Sequence, residues 1–161
     1  THDEADELAR RLLLGVGHEP SDEVSRALVD VSGGIPFLLH KIVGALAHGR
    51  YATFTPSDVR VCFEDFIDDP DEFRWFEHYL TRVAPHYGER ARIADQILQE
   101  TLSETNEWVP IDSLTPGEEV ADVIEDLIKD HYLERRGRSV RWRYPALQYI
   151  WARKKGVWDR R

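Results

Sequence analysis

The sequence has little cysteine, no methionine and no long apolar run. Cys62 is the one cysteine among 161 residues, so an internal disulfide is excluded. It falls on an apolar helical face, and we predict an unreactive core residue. No stretch approaches the roughly 18–20 apolar residues that a membrane span needs, and no charged-then-apolar leader opens the chain. We therefore expect no membrane association and a cytoplasmic location.

The motifs of several enzyme classes are also missing. No glycine is followed by lysine, so the phosphate-binding loop Gly-x-x-x-x-Gly-Lys-Ser/Thr does not occur. No Gly-x-Ser-x-Gly motif is present, and no two of the seven histidines have the spacing of three to five that metal-binding helices use. We expect no metal site and no catalytic residues, and we expect this chain by itself not to be an enzyme.

Helical periodicity dominates residues 1–69. Apolar side chains recur at intervals of three and four in four successive segments. Their members are Ala5, Leu8, Ala9, Leu12 and Leu13; Val24, Ala27, Leu28 and Val31; Leu39, Ile42, Val43 and Leu46; and Val59, Cys62, Phe63, Phe66 and Ile67. The segment Thr55-Pro56-Ser57-Asp58 supplies a cap for the last of these. This pattern predicts a small helical domain over 1–69.

A Gly33-Gly34-Ile35-Pro36-Phe37 junction separates the second and third helical segments. A glycine in the left-handed conformation ends many helices, and proline suits the first position of the next one. Helix capping therefore explains the motif without any ligand. A bare glycine backbone and a proline ring can also lie flat against a purine.

The junction and its flanking helices, roughly residues 3–69, resemble the helical lid of AAA+ and STAND-type signalling ATPases, where a Gly-x-Pro opens a lid helix and faces the adenine. The resemblance implies that Gly34, Ile35 and Pro36 face a nucleotide, ATP or ADP, in the parent protein. Because the phosphate-binding loop is missing, it also implies that the nucleotide-binding core lies upstream of this chain. The absence of methionine at position 1 agrees with that expectation.

Two interruptions mark the middle of the chain. Asp68-Asp69-Pro70-Asp71 and the segment from Pro85 to Gly88 break the helical pattern, and aromatic residues lie on two faces between them. We predict a linking helix over 70–88 and a domain boundary between Asp68 and Gly88.

Residues 89–161 change from helical to alternating periodicity. A helix through Ile97 and a short second element over 109–114 precede a third helix, for which Thr115-Pro116-Gly117-Glu118 predicts a capping box with proline first. Leu133–Arg136 and Val140–Tyr144 then predict a two-stranded hairpin with one apolar and one basic face, and Pro145 begins a last helix. We therefore expect a mainly α chain whose second domain, 89–161, contains a short β-hairpin.

This order resembles a winged helix-turn-helix domain over roughly 89–156. The closing segment, residues 143–156, is similar to the tails of prokaryotic STAND-like ATPases. A lid followed by a winged helix is the carboxy-terminal half expected of that group.

Charge is distributed unevenly along the chain. The solvent face of the third helix has six acids against Lys129, a net charge of minus five that would repel DNA from it. The acids are Glu118, Glu119, Asp122, Glu125, Asp126 and Asp130. Residues 134–161 contain ten Lys or Arg and two acids, a net charge of plus eight. Because the whole chain has a net charge of minus nine, residues 1–133 have a net charge of minus seventeen.

The predicted hairpin is where this basic charge begins. We predict that Arg136, Arg138, Arg141, Trp142 and Arg143 contact a partner or nucleic acid. Three interpretations stay open: the hairpin contacts a DNA backbone, docks on an acidic surface of the same protein or a second copy, or is simply solvated. The two leading functional hypotheses are a regulatory and interaction region of a STAND or AAA+ type ATPase and a DNA-binding winged-helix factor. A complete small helical protein with no link to nucleotides is the third.

Overall fold

The chain divides into two compact units, Thr1–Arg74 and Trp75–Arg161. The division lies inside the interval 68–88 in which a boundary was predicted. The computed structural model describes residues 1–49, 51, 53–72, 74, 77 and 83–157, with residues 83 and 84 described by their backbone alone. The described part is mainly helical and includes a small antiparallel sheet.

Unit 1 contains the helices α1 (His2–Gly15), α2 (Asp22–Ser32), α3 (Pro36–His48) and α4 (Pro56–Asp68). Local sequence determines their starts. Thr1 and Thr55 each form a capping box with the acid three residues later, and Pro56 occupies the first turn of α4 as predicted. Ser21 caps α2 by accepting from the N–H of Val24 at 3.2 Å.

The core of unit 1 is built from the apolar stripes of these four helices. Its fully buried side chains include Leu28, Leu38, Leu39, Ile42, Leu46 and Ile67. Cys62 is also buried, at 4 % exposure, which confirms the predicted position of this thiol in the core.

From residue 83 onward, unit 2 contains α5 (Val83–Tyr87), a 3-10 turn (Gly88–Arg90) and α6 (Ala91–Glu100). Strand β1 (Val109–Pro110), a second 3-10 turn (Ile111–Ser113) and α7 (Val120–Lys129) follow. The unit is completed by β2 (Leu133–Arg136), β3 (Ser139–Trp142) and α8 (Pro145–Lys155).

The sheet of unit 2 has three strands in the order β1-β3-β2, all antiparallel. The sequence predicted only the β2–β3 hairpin. Val109 of β1 pairs with Val140 of β3, so the predicted second element, residues 109–114, is a strand followed by one 3-10 turn. A two-residue strand is too short to show any periodicity, and its partner lies about thirty residues further along the chain.

Helix α7 begins at Val120 and not at Pro116, so the predicted capping box at Thr115 is wrong. Thr115 instead donates from its backbone N–H and its hydroxyl to the carboxylate of Glu100, at 2.8 and 2.5 Å. Glu119 occupies the cap position and makes no side-chain capping hydrogen bond. The local pattern predicted that the Thr115 hydroxyl caps the helix. It donates instead to the carboxylate of Glu100, a residue outside that helix.

Part of the predicted linking helix over 70–88, residues 73, 75, 76 and 78–82, lies outside the described residues. Within that interval the structure describes helical backbone at 70–72, 74 and 77 and in α5. In the described part of the chain, no helix combines the length and apolar character that a membrane span requires.

Candidate functional site

The α2–α3 junction places both glycines in the left-handed conformation. Gly33 ends α2 with φ of 60°, and Gly34 follows with φ of 74°. A Cβ on Gly34 would lie 3.1 Å from the Cβ of Ala5 in α1. Backbone conformation and close helix packing therefore require glycine at position 34 without reference to a ligand.

The backbone donors of the junction are used inside it. The N–H of Gly34 donates to Val29 O at 3.2 Å and to Ser32 Oγ at 3.1 Å. The N–H of Ile35 donates to Ser32 O at 3.1 Å. Phosphate sites at helix starts use free backbone N–H groups, whereas those of Gly34 and Ile35 are occupied. These two residues therefore form an apolar ledge, a partly exposed apolar edge of the junction, and not a phosphate-binding site.

Pro36 occupies the first position of α3, with Ile35 as the N-cap residue and no side-chain capping bond. Gly34 and Ile35 are half-buried, and Pro36 is exposed. Phe37 is 39 % exposed. Such a ledge can pack against a flat ring but offers no acid, base or nucleophile.

The second predicted region is the outer face of the sheet in unit 2. Register places Glu134 of β2 directly opposite Arg141 of β3. Arg141 Nε donates to Glu134 Oε1 at 2.6 Å, and its guanidinium carbon lies 4.4 Å from the centre of the Trp108 ring. Trp108, which immediately precedes β1, therefore lies on the opposite side of Arg141 from Glu134 across the sheet.

Three arginines of the hairpin form ion pairs with acids of the same unit. Besides the Arg141–Glu134 pair, Arg138 Nη2 lies 2.8 Å from Asp112 Oδ1. Arg135 Nη1 lies 2.5 Å from Glu125 Oε1 on α7. The basic charge of the hairpin is therefore partly neutralised within unit 2.

Arg136 and Arg143 have partners of another kind. The guanidinium carbon of Arg136 lies 4.7 Å from the centre of the Trp108 ring. Arg143 Nη1 lies 2.9 Å from His131 Nδ1, and its guanidinium carbon is 5.5 Å from the centre of the Tyr144 ring. Both arginines are exposed. They are the two arginines of the predicted contact set that pair with no acid in the described part of the chain.

Trp142 is not part of this surface, and its prediction as a contact residue is wrong. Its side chain is fully buried, its Nε1 donates to Leu98 O at 3.2 Å, and its ring lies 5.5 Å from that of Trp151. Alternation along β3 puts Trp142 on the same face as Val140, and that face meets the core. Arg141, between them, faces outward.

Sequence reasoning missed Trp108. The available signal was Val109-Pro110, because the residue before a proline is biased towards extended backbone. That bias predicts a short extended segment but cannot name its partner strand, which only the tertiary pairing supplies.

The exposed side of α7 is acidic, as the sequence predicted. Asp122 and Glu125 are exposed, while Asp126 is half-buried and accepts from Arg90 Nη2 at 2.9 Å. Asp130, just beyond the helix, accepts from the hydroxyl of Tyr87 at 2.8 Å. This surface has the same charge sign as a nucleic acid backbone.

Each unit also has a cleft away from the residues predicted from the sequence. In unit 1 a cleft of about 460 Å³ is lined by Tyr51, Cys62 and three acids, Asp65, Asp69 and Glu72, among others. Burial raises the pKa of the Cys62 thiol to about 11, so the thiol is protonated near neutral pH.

In unit 2 a cleft of about 450 Å³ lies between α6 and the segment 115–120 and includes Glu100. Among the described residues, no group of three or more His, Cys, Asp or Glu side chains is placed to hold a metal ion.

Comparison with protein-family models, curated proteins and solved structures finds no match to this chain. The candidate sites are therefore identified from geometry and charge alone.

Proposed function

We propose that this chain is a regulatory and interaction region of a STAND or AAA+ type ATPase. Unit 1 acts as a lid that contacts ATP or ADP held by an upstream nucleotide-binding core, and unit 2 is a winged helix that relays the bound state to a protein partner or a neighbouring subunit. The chain itself performs no catalysis on this proposal.

The lid assignment is supported by the α2–α3 junction. Gly34 and Ile35 use their backbone donors internally, so what they and Pro36 offer outward is a flat apolar edge. That edge suits a purine base and not a phosphate. A lid can respond to nucleotide state only if it contacts the nucleotide differently in the two states.

The winged-helix assignment is supported by the order of elements in unit 2. A helix, a short strand, a further helix, a hairpin and a closing helix follow one another, and the short strand pairs with the hairpin. The second helix of the usual pattern is replaced here by a single 3-10 turn, Ile111–Ser113. The element directly before α7 is therefore a single turn and not a full helix.

The observation that favours a protein partner over DNA is the ion pairing of the hairpin. Arg135, Arg138 and Arg141 each bind a carboxylate of unit 2, and the exposed side of α7 is acidic. A surface that binds DNA backbone gains affinity by releasing counterions at unpaired cations. The alternative function, a DNA-binding factor, is supported in the hairpin region by the exposed Arg136 and Arg143.

The lid is tested in the full-length product of the gene that encodes this chain. We expect Pro36→Ala to weaken binding of a fluorescent ATP or ADP analogue several-fold. Pro56→Ala is the matched control, because Pro56 also occupies the first turn of a helix and lies outside the junction. Equal affinities for the two variants would mean that Pro36 serves only to start α3.

The choice of partner is tested by fluorescence anisotropy with labelled duplex and single-stranded DNA at two salt concentrations. The proposal expects no binding, even at low salt. Binding that falls with added salt, with a log-log slope of about 0.9 per neutralised phosphate, and that is lost in an Arg136→Gln, Arg143→Gln double variant would instead establish the DNA-binding alternative.

A further inference from the structure

The outer face of the sheet in unit 2 holds two guanidinium groups against one indole ring. Their carbons lie 4.4 Å (Arg141) and 4.7 Å (Arg136) from the centre of the Trp108 ring. Both distances fall within the range of cation–π contacts. Three residues that are distant in the sequence thus form one surface cluster, which we call the Trp108 cluster.

The two arginines of the cluster differ in what else they bind. Arg141 donates to Glu134 at 2.6 Å, and both side chains of this pair are 35 % exposed. Arg136 is exposed, and its side chain donates no hydrogen bond within the part of the chain that the structure describes. A guanidinium has five N–H donors, and the contact with the indole helps to hold the Arg136 group in place. The Arg136 guanidinium therefore has N–H donors available beside the indole.

The charges around the cluster discriminate between ligands. Arg136, Arg138 and Arg141 lie near two acids, Glu134 and Asp112, which leaves a net charge of plus one. Duplex DNA carries about one negative charge per 1.7 Å of helix axis, so a phosphate backbone laid here would meet both acids as well as the arginines. A single carboxylate carries one negative charge and so matches the net charge of plus one. The Arg141–Glu134 pair is an example of the same guanidinium–carboxylate interaction beside the indole.

We propose that Arg136 and Trp108 form a docking site for a carboxylate side chain in an acidic peptide segment of a protein partner. Arg136 binds the carboxylate through its planar donors, and the methylene groups of the partner side chain pack beside the indole. This inference depends on the proposed role of unit 2 as a relay to a protein partner and names the chemistry of that partner.

The test uses the indole N–H signals of the isotopically labelled chain in NMR spectra, with the signal of Trp108 assigned through a Trp108→Phe variant. The probe is a capped peptide, Gly-Ser-Glu-Glu-Ser-Gly, and the control peptide has Gln in place of each Glu. We expect the acidic peptide to shift the Trp108 signal in a saturable manner and the Gln peptide to leave it unchanged. No shift with the acidic peptide would overturn the proposal.

Matched variants separate a site from general attraction. Arg136→Gln should weaken the acidic peptide about tenfold, as expected when a hydrogen bond to a charged group is lost. Arg138→Gln removes the same formal charge from an arginine already paired with Asp112, and should change affinity by less than about twofold. Equal losses would mean diffuse electrostatics and no docking site.

Two further measurements complete the design. Arg136→Lys keeps the charge but removes the planar fork, so we expect it to bind the peptide almost as weakly as Arg136→Gln; wild-type affinity would overturn the role of the fork. A single-stranded oligonucleotide that shifts the Trp108 signal at lower concentration than the peptide would identify a nucleic-acid surface instead. Nucleotide binding that depends on Pro36 is measured separately, so a failed docking site and a failed lid are distinguishable.

Discussion

Gln148 in α8 hydrogen-bonds both backbone groups of Ser103. The Ser103 N–H donates to Gln148 Oε1 at 2.9 Å, and Gln148 Nε2 donates to Ser103 O at 2.8 Å. Gln148 is 2 % exposed, and the two residues are 45 positions apart. One amide therefore satisfies the backbone of the segment after α6, much as a neighbouring strand would.

Replacing this amide should destabilise unit 2. We expect Gln148→Leu to lower the free energy of unfolding by about 2 kcal/mol, because the backbone N–H and C=O of Ser103 lose their partner. All five tryptophans lie at position 75 or later, so tryptophan fluorescence during urea unfolding reports on unit 2. Gln99→Leu, at an exposed position of α6, should change stability by no more than about 0.5 kcal/mol. Similar losses in both variants would contradict the role of the amide.

Gly34→Ala should destabilise unit 1 by about 2 kcal/mol. Part of the loss is the left-handed φ of 74°, and part is the approach of the new Cβ to within 3.1 Å of Ala5. Gly17→Ala is the matched control, since Gly17 has φ of 82° but no atom within 4 Å of the added Cβ. Native-state hydrogen exchange of the α1 and α2 amides measures the change in stability in both variants. If Ala5→Gly recovers nothing in the Gly34→Ala background, the packing explanation is wrong.

The thiol of Cys62 should be nearly inert at pH 8. With a pKa of about 11, roughly one thiol in a thousand is ionised at that pH, against about one in four for an unperturbed cysteine. We expect alkylation on the order of 10²-fold slower than that of a small thiol, and ordinary rates in denaturant. Because the folded thiol stays protonated where the unfolded one ionises, its contribution to stability is lost as the pH rises from about 9 to about 11. Rapid labelling of the folded protein at pH 8 would refute this prediction.

Glu100 should make stability sensitive to acid. The hydroxyl and backbone N–H of Thr115 hold the pKa of Glu100 below its ordinary value. A lowered pKa stabilises the folded state above the unfolded value of 4.5, and this contribution is lost as the pH falls through the folded pKa. Glu100→Gln should therefore cost about 1 kcal/mol at pH 7 and less at pH 3, measured by tryptophan fluorescence in urea. Thr115→Val retains the backbone donor and should lose only part of that amount. A cost for Glu100→Gln that does not vary with pH would rule out the linkage.

Local sequence was sufficient for the starts of several helices. The starts of α1, α4 and α8 follow from capping residues and from proline in the first turn, because those signals act within four residues. The same rules failed at Thr115, whose hydroxyl binds Glu100, fifteen residues earlier. A capping pattern predicts a helix start only when no tertiary acceptor competes for the hydroxyl.

The sequence by itself determined the helical character of unit 1, the left-handed glycine that ends α2, and the alternation of the β2–β3 hairpin. Only the tertiary structure decided which residues form the candidate site. Alternation along β3 separates Arg141 from Trp142 but does not say which of them meets the core. Burial of Trp142 against Leu98 and pairing of β1 with β3 settled that question, and the same pairing brought Trp108 beside Arg136 and Arg141. These contacts join residues about thirty or more positions apart, so no local rule acting over a few residues could have specified them.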